Sequence, residues 1–510
     1  MIDATPLLRV YARFRRRRLA RENPAEAQRA TLRRLLARAA DTRFGRAHGF
    51  SGIRSVEEFQ ARVPLTDYDA FWRDYMASTF PVLRDVSWPG LVPYFALTSG
   101  TTTGRTKYIP CSRDMVSANR RAAADILVHH LANRPSSRIL AGRNFMLGGS
   151  TGLTEEAPGV YSGDLSGIAA AEVPIWARPR FFPPKRLALI EDWEEKIARL
   201  AEASLAEDIR GIFGTPSWLL LFFERLKALR PDLPFAARSY YPELELLIHG
   251  AINFAPYRQR FAAFLAGTRA ETREVYSASE GFIAIADKGD GEGMRLLLDN
   301  GLFMEFVPVG ELRAAQPARH WIGTAEIGID YAIVLSTCAG LFGFVVGDTV
   351  KLVSRDPPRL LITGRTSQML SAFGEHLIGA EIEDAVAHAA RSIAASATDF
   401  VAGAVFPGEA AARGHHLFLV EFSAPRPEPR AVAAFARALD ERLAVLNSDY
   451  RAHREKGFGL DPPEVQLVRC GGFAAWMKAR GKLGGQHKVP RIVTDPAAFI
   501  TISRELAGTG

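Results

Sequence analysis

Apolar residues recur at helical spacing through the first part of the chain and at strand-like spacing through its middle. Residues 1 to about 90 read as mainly helical, with "VPLTDYDAFWRDYM" supplying a capped helix start. Mixed α/β structure follows. Strands are expected at "RNFMLGG", "ELELLIHG", "GFIAIAD", "MRLLLDNGLFMEFVPV", "YAIVLST", "FGFVVGDTVKLV" and "RLLITG", and helices over residues 113–132, 187–208, 216–229 and 257–265. Strands with glycine-rich loops at their ends, interleaved with helices, predict a large α/β domain. Beyond Gly364 the pattern changes. Helix "GAEIEDAVAHAA", strands "FVAGAVF" and "HHLFLVEF", helix "RAVAAFARALDERLAVL" and strand "EVQLVRC" form a smaller α+β unit. The boundary falls near "GRTSQML", giving a large domain over residues 1–367 and a small one over 368–510.

Within this pattern "TSGTTTGRTKYIP", Thr98 to Pro110, concentrates hydroxyls and glycines ahead of a single lysine. "PYFALTSG" reads as a strand running into it. A helix is expected from Ser112, which can cap, with Asp114 in the first turn. Strand, small-residue loop and helix make an anion cradle from backbone N–H groups, hydroxyls and the charge of Lys107. A Walker loop would need glycine at position 105, which is Arg105, so P-loop kinases and GTPases are disfavoured. A threonine-rich surface loop is the plain alternative.

Three further strings read as loop tips. "VYSASEG" carries Tyr276, Ser279 and Glu280, "FVVGDTVKLV" sets Gly347-Asp348 between two strand-like runs, and "LLITGRTSQML" ends a run with Gly364-Arg365. Singly, each has an ordinary explanation as a cap partner, a turn residue or a surface cation. Together they meet the needs of activating a carboxylic acid at the α-phosphate of ATP. That chemistry requires a donor-rich phosphate loop, a carboxylate for Mg²⁺, another for the ribose hydroxyls, and cations where charge builds.

Composition narrows the setting. A chain of 510 residues, 47% hydrophobic and 24% charged, exceeds one ordinary core. No run approaches the roughly 20 apolar residues of a membrane span. The first 40 residues hold no secretory-type stretch, and Cys111, Cys338 and Cys470 are scattered, so a reducing cytoplasm is expected. The net charge of +8 is partly concentrated in "RFRRRR", Arg13 to Arg18. Such a run could meet nucleic acid or an anionic membrane surface. The leucines and alanines between these arginines favour a solvated helix face, and no nucleic-acid-binding motif accompanies them.

The ordered strings resemble the adenylate-forming enzymes, and more closely the plant acyl-acid amido synthetases first known as auxin-responsive proteins, the Gretchen Hagen three family. That family has a Ser-Gly-Thr-Thr/Ser loop ending in lysine, a Tyr-x-x-Ser-Glu string and a "GLYRY"-like segment leading to Gly-Asp. "TSGTTTGRTKYIP", "YSASEG" and "AGLFGFVVGD" stand in their places, and family-like wording runs from about Arg43 to "GGQHKVPR". The resemblance implies an α/β, firefly-luciferase-like adenylate-forming fold, ATP and Mg²⁺, a carboxylic-acid substrate and an amine acceptor, an amino acid above all. By the same resemblance Ser99, Gly100, Thr101, Thr102, Thr103 and Lys107 hold the phosphates, and Glu280 reaches Mg²⁺. Tyr276, with Ser277, Ala278 and Ser279, flanks adenine. Asp348 takes the ribose hydroxyls, and Arg365 the ribose or a phosphate. Lys488 is the C-terminal lysine that swings in for adenylation, with Lys482 the alternative. Three departures stand out: Phe342-Gly343-Phe344 replaces a Tyr-Arg-Tyr run, His376 sits where a cation is common, and Gln368 where the hinge is often Asp or Lys.

The acyl pocket is expected among helix 113–132, "LGGSTGLTEEAPGVYSGDLSG" and "GTPSWLL". Trp218, Phe222 and Phe223 can line it, although their helical spacing favours a core role. His129, His130, His249 and His320 are open as bases. An acyl-CoA or carrier-protein ligase, and a non-catalytic binding protein, remain the rival readings.

Overall fold

The chain folds as two units: Met1–Val346 with Val350–Leu361, and Gly347–Thr349 with Ile362–Gly510. The computed structural model describes residues 2–99, 106–148, 152–190, 192–250, 254, 257–289, 291–312, 314–366, 370, 372, 377–405, 414–447, 450–451, 454, 460–480 and 488–507.

The first unit opens with α1 (Thr5–Ala20) and α2 (Pro24–Ala39), the latter capped by Asn23, whose side chain accepts from the Glu26 N–H at 3.1 Å. Short helices follow at Val56–Arg62 and Tyr68–Phe71. Asp67 caps the second, accepting from Ala70 N–H at 2.9 Å, as "TDYDAF" predicts. Next come β1 (Tyr94–Ser99) and β2 (Thr106–Cys111), paired antiparallel from Tyr94↔Cys111 to Ser99↔Thr106. The expected strand–loop–helix is therefore a hairpin followed by a helix. A whole strand separates the loop from α3 (Arg113–Asn133), so that helix does not start at the cradle. Ser112 does cap α3, its Oγ accepting from Met115 N–H at 3.1 Å.

Four strands then lie side by side in parallel: β3 (Arg143–Leu147), β4 (Ile209–Gly214), β5 (Leu246–Gly250) and β6 (Glu271–Ala278). Their short apolar runs suit strands covered on both faces. β7 (Gly281–Ile285) turns back antiparallel to β6. Helix α4 (Pro216–Leu229) drives Phe222 and Phe223 into a core with Phe145, Phe182 and Phe261, and Phe223 stacks on Phe264 at 4.0 Å. The aromatic residues of "GTPSWLLLFFERL" thus pack the interior.

Two expected elements divide. The helix over 187–208 becomes Lys185–Ala188 and Trp193–Ser204, with Asp192 capping the second at 2.7 Å from Glu195 N. "MRLLLDNGLFMEFVPV" becomes Met294–Leu296 and β8 (Leu302–Pro308). β9 (Asp330–Thr337), β10 (Phe344–Arg355) and β11 (Pro358–Arg365) follow, in a sheet of twelve strands among the described residues. β10 runs unbroken through Gly347-Asp348, where a loop tip was expected. Gly347 sits at φ +95°, a left-handed value glycine adopts without Cβ strain, so the strand kinks instead of ending.

The second unit contains α5 (Gly379–Ser392), β12 (Ala397–Val405), β13 (His415–Phe422), α6 (Pro429–Leu446), β14 (Glu464–Val468), β15 (Ile492–Val493) and α7 (Pro496–Ala507). Its sheet has the order β14-β13-β12-β15, with an antiparallel central pair and parallel outer strands. Ile382, Val386, Phe435 and Leu439 form one core with Phe400 and Phe418. Phe499 and Ile502 join Val401 and Leu419 in a second. Among the described residues, no helix is long and apolar enough to cross a membrane.

Candidate active site

Ligands of α/β sheets gather beyond the C-terminal ends of parallel strands. Glu280 stands just past that end of β6, in a two-residue turn with Ser279 that closes on the pair Gly281↔Ala278. Gly281 has φ +154°, and a Cβ there would lie 2.8 Å from Leu302 Cδ2 and 3.4 Å from Met115 Cε. The turn is therefore seated tightly on β8 and the start of α3. Tyr276 is buried, whereas Ser277, Ala278, Ser279 and Glu280 keep part of their surface exposed.

Ser99 ends β1, and Lys107 pairs across the hairpin with Thr98. The Lys107 ammonium lies 5.2 Å from the centre of the Tyr68 ring, whose hydroxyl accepts from Tyr108 N–H at 2.9 Å. Burial pushes that hydroxyl up to about 12. Tyr68 thus holds the base of the hairpin and cradles its cation. Its only sequence signal is a place in the capped "TDYDAF" turn. Gly100, Thr101, Thr102 and Thr103 lie outside the described residues, as do Lys482, Gln368 and His376.

The opposite, N-terminal edge of the parallel strands carries a charged network. Glu245 accepts from Arg138 N–H at 2.9 Å and from Arg210 Nη1 at 3.0 Å, and His130 meets Glu271 at 2.8 Å and Ser137 at 2.9 Å. Burial alone would raise the Glu245 carboxyl, but hydrogen bonds from His130, Ser137, Arg138 and Arg210 hold it at about 2. Burial disfavours the His130 cation, yet Glu245 and Glu271 raise its pKa. His130 is therefore a structural residue far from the C-terminal edge. His129, also buried, is lowered to about 3 by lost hydration. His249 is near the C-terminal end of β5, stacked 3.6 Å from Phe254, and His320 meets the Tyr331 ring edge-on.

The network gives stability a pH window. Glu245, depressed from 4.5, contributes fully above about pH 4.5 and loses its contribution as pH falls towards 2. His130, raised from 6.5, contributes below that value and loses it as pH rises through its folded pKa. Replacing Glu245 with Gln should flatten the acid limb of stability, removing about 3 kcal/mol of its pH dependence. Urea unfolding at successive pH values measures it, and parallel acid limbs for both proteins would refute it.

In the second unit Asp348, Arg365 and Lys488 come together although distant in sequence. Thr366 N–H donates to Gly347 O at 2.8 Å, tying the end of β11 to the kink in β10, and Arg365 Nε lies 3.1 Å from Asp348 Oδ1. Lys488 keeps an exposed surface, but its ammonium is crowded by protein. Lost hydration, then the positive charge of Arg365, lower it to about 8, with Asp348 and Glu383 opposing and Arg491 reinforcing. Arg491 fixes this segment. It pairs with Glu383 at 3.4 Å and with Asp399, and lies 4.7 Å over the Phe400 ring. Neither Arg491 nor Glu383 was singled out from sequence, although both stand in the quoted strings "GGQHKVPR" and "GAEIEDAV".

The two units share the fold of solved adenylate-forming ligases. Residues 13–152 match the GH3 family N-terminal domain, residues 295–365 its central domain and residues 380–497 its C-terminal domain. The chain belongs to the GH3 family. Indole-3-acetic acid-amido synthetase GH3.3 of Arabidopsis thaliana is 26% identical over 229 residues, which are 43% of this chain and 38% of that protein. The match thus spans well under two thirds of that relative. The fold is shared with the GH3.15 acyl acid amido synthetase, with TM-score 0.78, 18% identity and coverage of 96% of this chain and 94% of that one. It is also shared with 2-hydroxyisobutyryl-CoA ligase in complex with its acyl adenylate, with TM-score 0.63, 18% identity and coverage of 95% and 92%.

Proposed function

We propose that this protein adenylates a carboxylic acid with ATP and passes the acyl group to an amine, an amino acid above all. The observation that carries this reading is the cluster of Asp348, Arg365 and Lys488, in a chain of the GH3 family. In the first half-reaction a carboxylate oxygen attacks the α-phosphorus and the bond to pyrophosphate breaks. In the second, the amine nitrogen attacks the acyl carbon, AMP leaves, and the nitrogen gives up a proton.

Each residue has a task. Ser99, Gly100, Thr101, Thr102, Thr103 and Lys107 hold the phosphates. Tyr276 and its neighbours to Ser279 bound the adenine side. Asp348 accepts from the ribose hydroxyls, and its pairing with Arg365 keeps the carboxylate charge-balanced before the nucleotide arrives. Lys488 places an ammonium where charge grows on the phosphoryl oxygens. Among the described residues, no group of three or more His, Cys, Asp or Glu gathers as metal ligands. One partly exposed carboxylate, Glu280, nevertheless suits Mg²⁺, which takes one or two protein oxygens and completes its shell with phosphates and water. When bound, the ion neutralises charge on the departing pyrophosphate. Glu280→Gln should raise severalfold the Mg²⁺ concentration giving half-maximal pyrophosphate release, and an unchanged titration would remove Glu280 from this role.

Pyrophosphate and AMP release with a panel of carboxylic acids, each with amino acids, hydroxylamine or coenzyme A, tests the whole reading. Amino-acid-dependent AMP release is expected. The fold shared with a CoA ligase supports the second reading, and stimulation by coenzyme A alone would establish it. Silence across the panel would defeat both.

A further inference from the structure

The arginine-rich start of the chain takes no part in that chemistry. One face of α1 packs inward. Thr5, Ala12 and Leu19 are buried, and Ala12 and Leu8 meet Val128 and Leu131 of α3. The opposite face is apolar and exposed: Leu7 (76%), Val10 (58%), Tyr11 (43%) and Phe14 (64%). Their spacing of i, i+3, i+4 and i+7 sets them in one stripe along the helix.

Six arginines and no acidic residue complete α1. Arg15 is held by Asp125 and Asp299, each at 2.7 Å, Arg18 by Asp299 at 3.1 Å, and Arg9 donates to Ser137 O at 2.7 Å. The side chains of Arg13, Arg16 and Arg17 are exposed and make neither ion pair nor hydrogen bond among the described residues. By helical geometry Arg13 and Arg17 flank one side of the stripe, and Arg18 continues its line one turn beyond Phe14. Tyr11 and Phe14 also wall an open cavity of about 940 Å³ that bears Arg34, Arg38 and Arg121. Its acidic residues are already engaged: Asp299 by α1, and Asp114 by Trp88 Nε1 at 3.0 Å and by Arg38 at 3.9 Å.

We infer that the outer face of α1 docks on an anionic lipid surface. The apolar stripe enters the headgroup boundary, the flanking arginines meet lipid phosphates, and the basic cavity receives a headgroup. Charge complementarity selects this occupant. A second copy would set arginine against arginine. Nucleic acid would force phosphates against the stripe.

Flotation of the full chain with vesicles tests the inference at low ionic strength. Binding is expected to equimolar phosphatidylcholine and phosphatidylglycerol, to vanish with phosphatidylcholine alone, and to weaken with added salt. Two sets of exposed substitutions, Leu7→Ser/Val10→Ser/Phe14→Ser and Arg13→Gln/Arg17→Gln, should each lower the bound fraction by about tenfold or more. Both should leave the unfolding midpoint and acid-dependent pyrophosphate release unchanged. Absence of binding to anionic vesicles, or equal binding to neutral ones, overturns the inference. So does binding indifferent to both sets, or a serine set that abolishes only self-association. Duplex DNA binding insensitive to the serine set, without vesicle binding, would assign the arginines to nucleic acid instead.

Discussion

Lys488→Ala is expected to lower acid-dependent pyrophosphate release by about 10²–10³-fold at saturating ATP, with little change in nucleotide affinity. A cation aimed at developing phosphoryl charge acts mainly in the transition state, so its loss appears in kcat. The pH dependence gives a second signature. With the ammonium held at about 8, the free enzyme loses this charge as pH rises through that value, and kcat/KM for ATP should fall there. Bound phosphates favour the charged form, so the limb in kcat should lie at higher pH. The alanine variant should lack the limb altogether. Steady-state pyrophosphate release from about pH 6 to 10 measures both effects. A variant that works at the parent rate assigns the task elsewhere, and Lys482→Ala shows whether its neighbour performs it.

Arg319→Met should destabilise the first unit by about 3–5 kcal/mol. Glu305, on β8, is fully buried, and Arg319 engages both its oxygens, with Nε to Oε1 at 3.0 Å and Nη2 to Oε2 at 2.9 Å. The same guanidinium donates to Gln60 O and Val63 O, and Gln60 Nε2 returns a hydrogen bond to Glu305 at 2.9 Å. Deleting the arginine leaves a buried carboxylate with one amide donor, and leaves two carbonyls unpaired. The double variant Glu305→Leu/Arg319→Met removes the stranded charge as well and should recover much of the loss. Denaturant midpoints should be followed by a probe within the first unit, because two units need not unfold together. A single substitution costing less than about 1 kcal/mol would show the charge is relieved by relaxation or water.

Local rules made much of this fold legible. Asp67 and Ser112 cap helices as short polar side chains do before apolar runs, and β3 and β5 read as brief apolar segments closed by glycine, whereas β4 and β6 are not among the expected strands. Where neighbours decide, the pattern misled. "TKYIPC" contains a proline and only a short apolar run, so its strand character appears only through the pairing of Thr98 with Lys107. Gly347-Asp348 has the chemistry of a turn, yet the kink is absorbed inside β10. Phe222 and Phe223 were ambiguous between pocket and core until the rings of Phe145 and Phe264 closed around them. The candidate site shows the same division. Glu280, Asp348, Arg365 and Lys488 each carry a chemical signature in their strings. The meeting of the last three, and the anchoring of Lys488 through Arg491, arise from long-range packing that no spacing encodes.

The clamp on Arg491 limits how Lys488 can be delivered. Only Val489 and Pro490 separate them, a leash of three chain steps whose full extension is about 10 Å, and its far end is bolted to α5 through Glu383 and to the sheet through Asp399 and the Ala402 N–H bond to Arg491 O. A lysine so tethered cannot wander in on a loose tail. Withdrawing its charge from Asp348 by more than that reach means hauling the four-stranded sheet along as cargo.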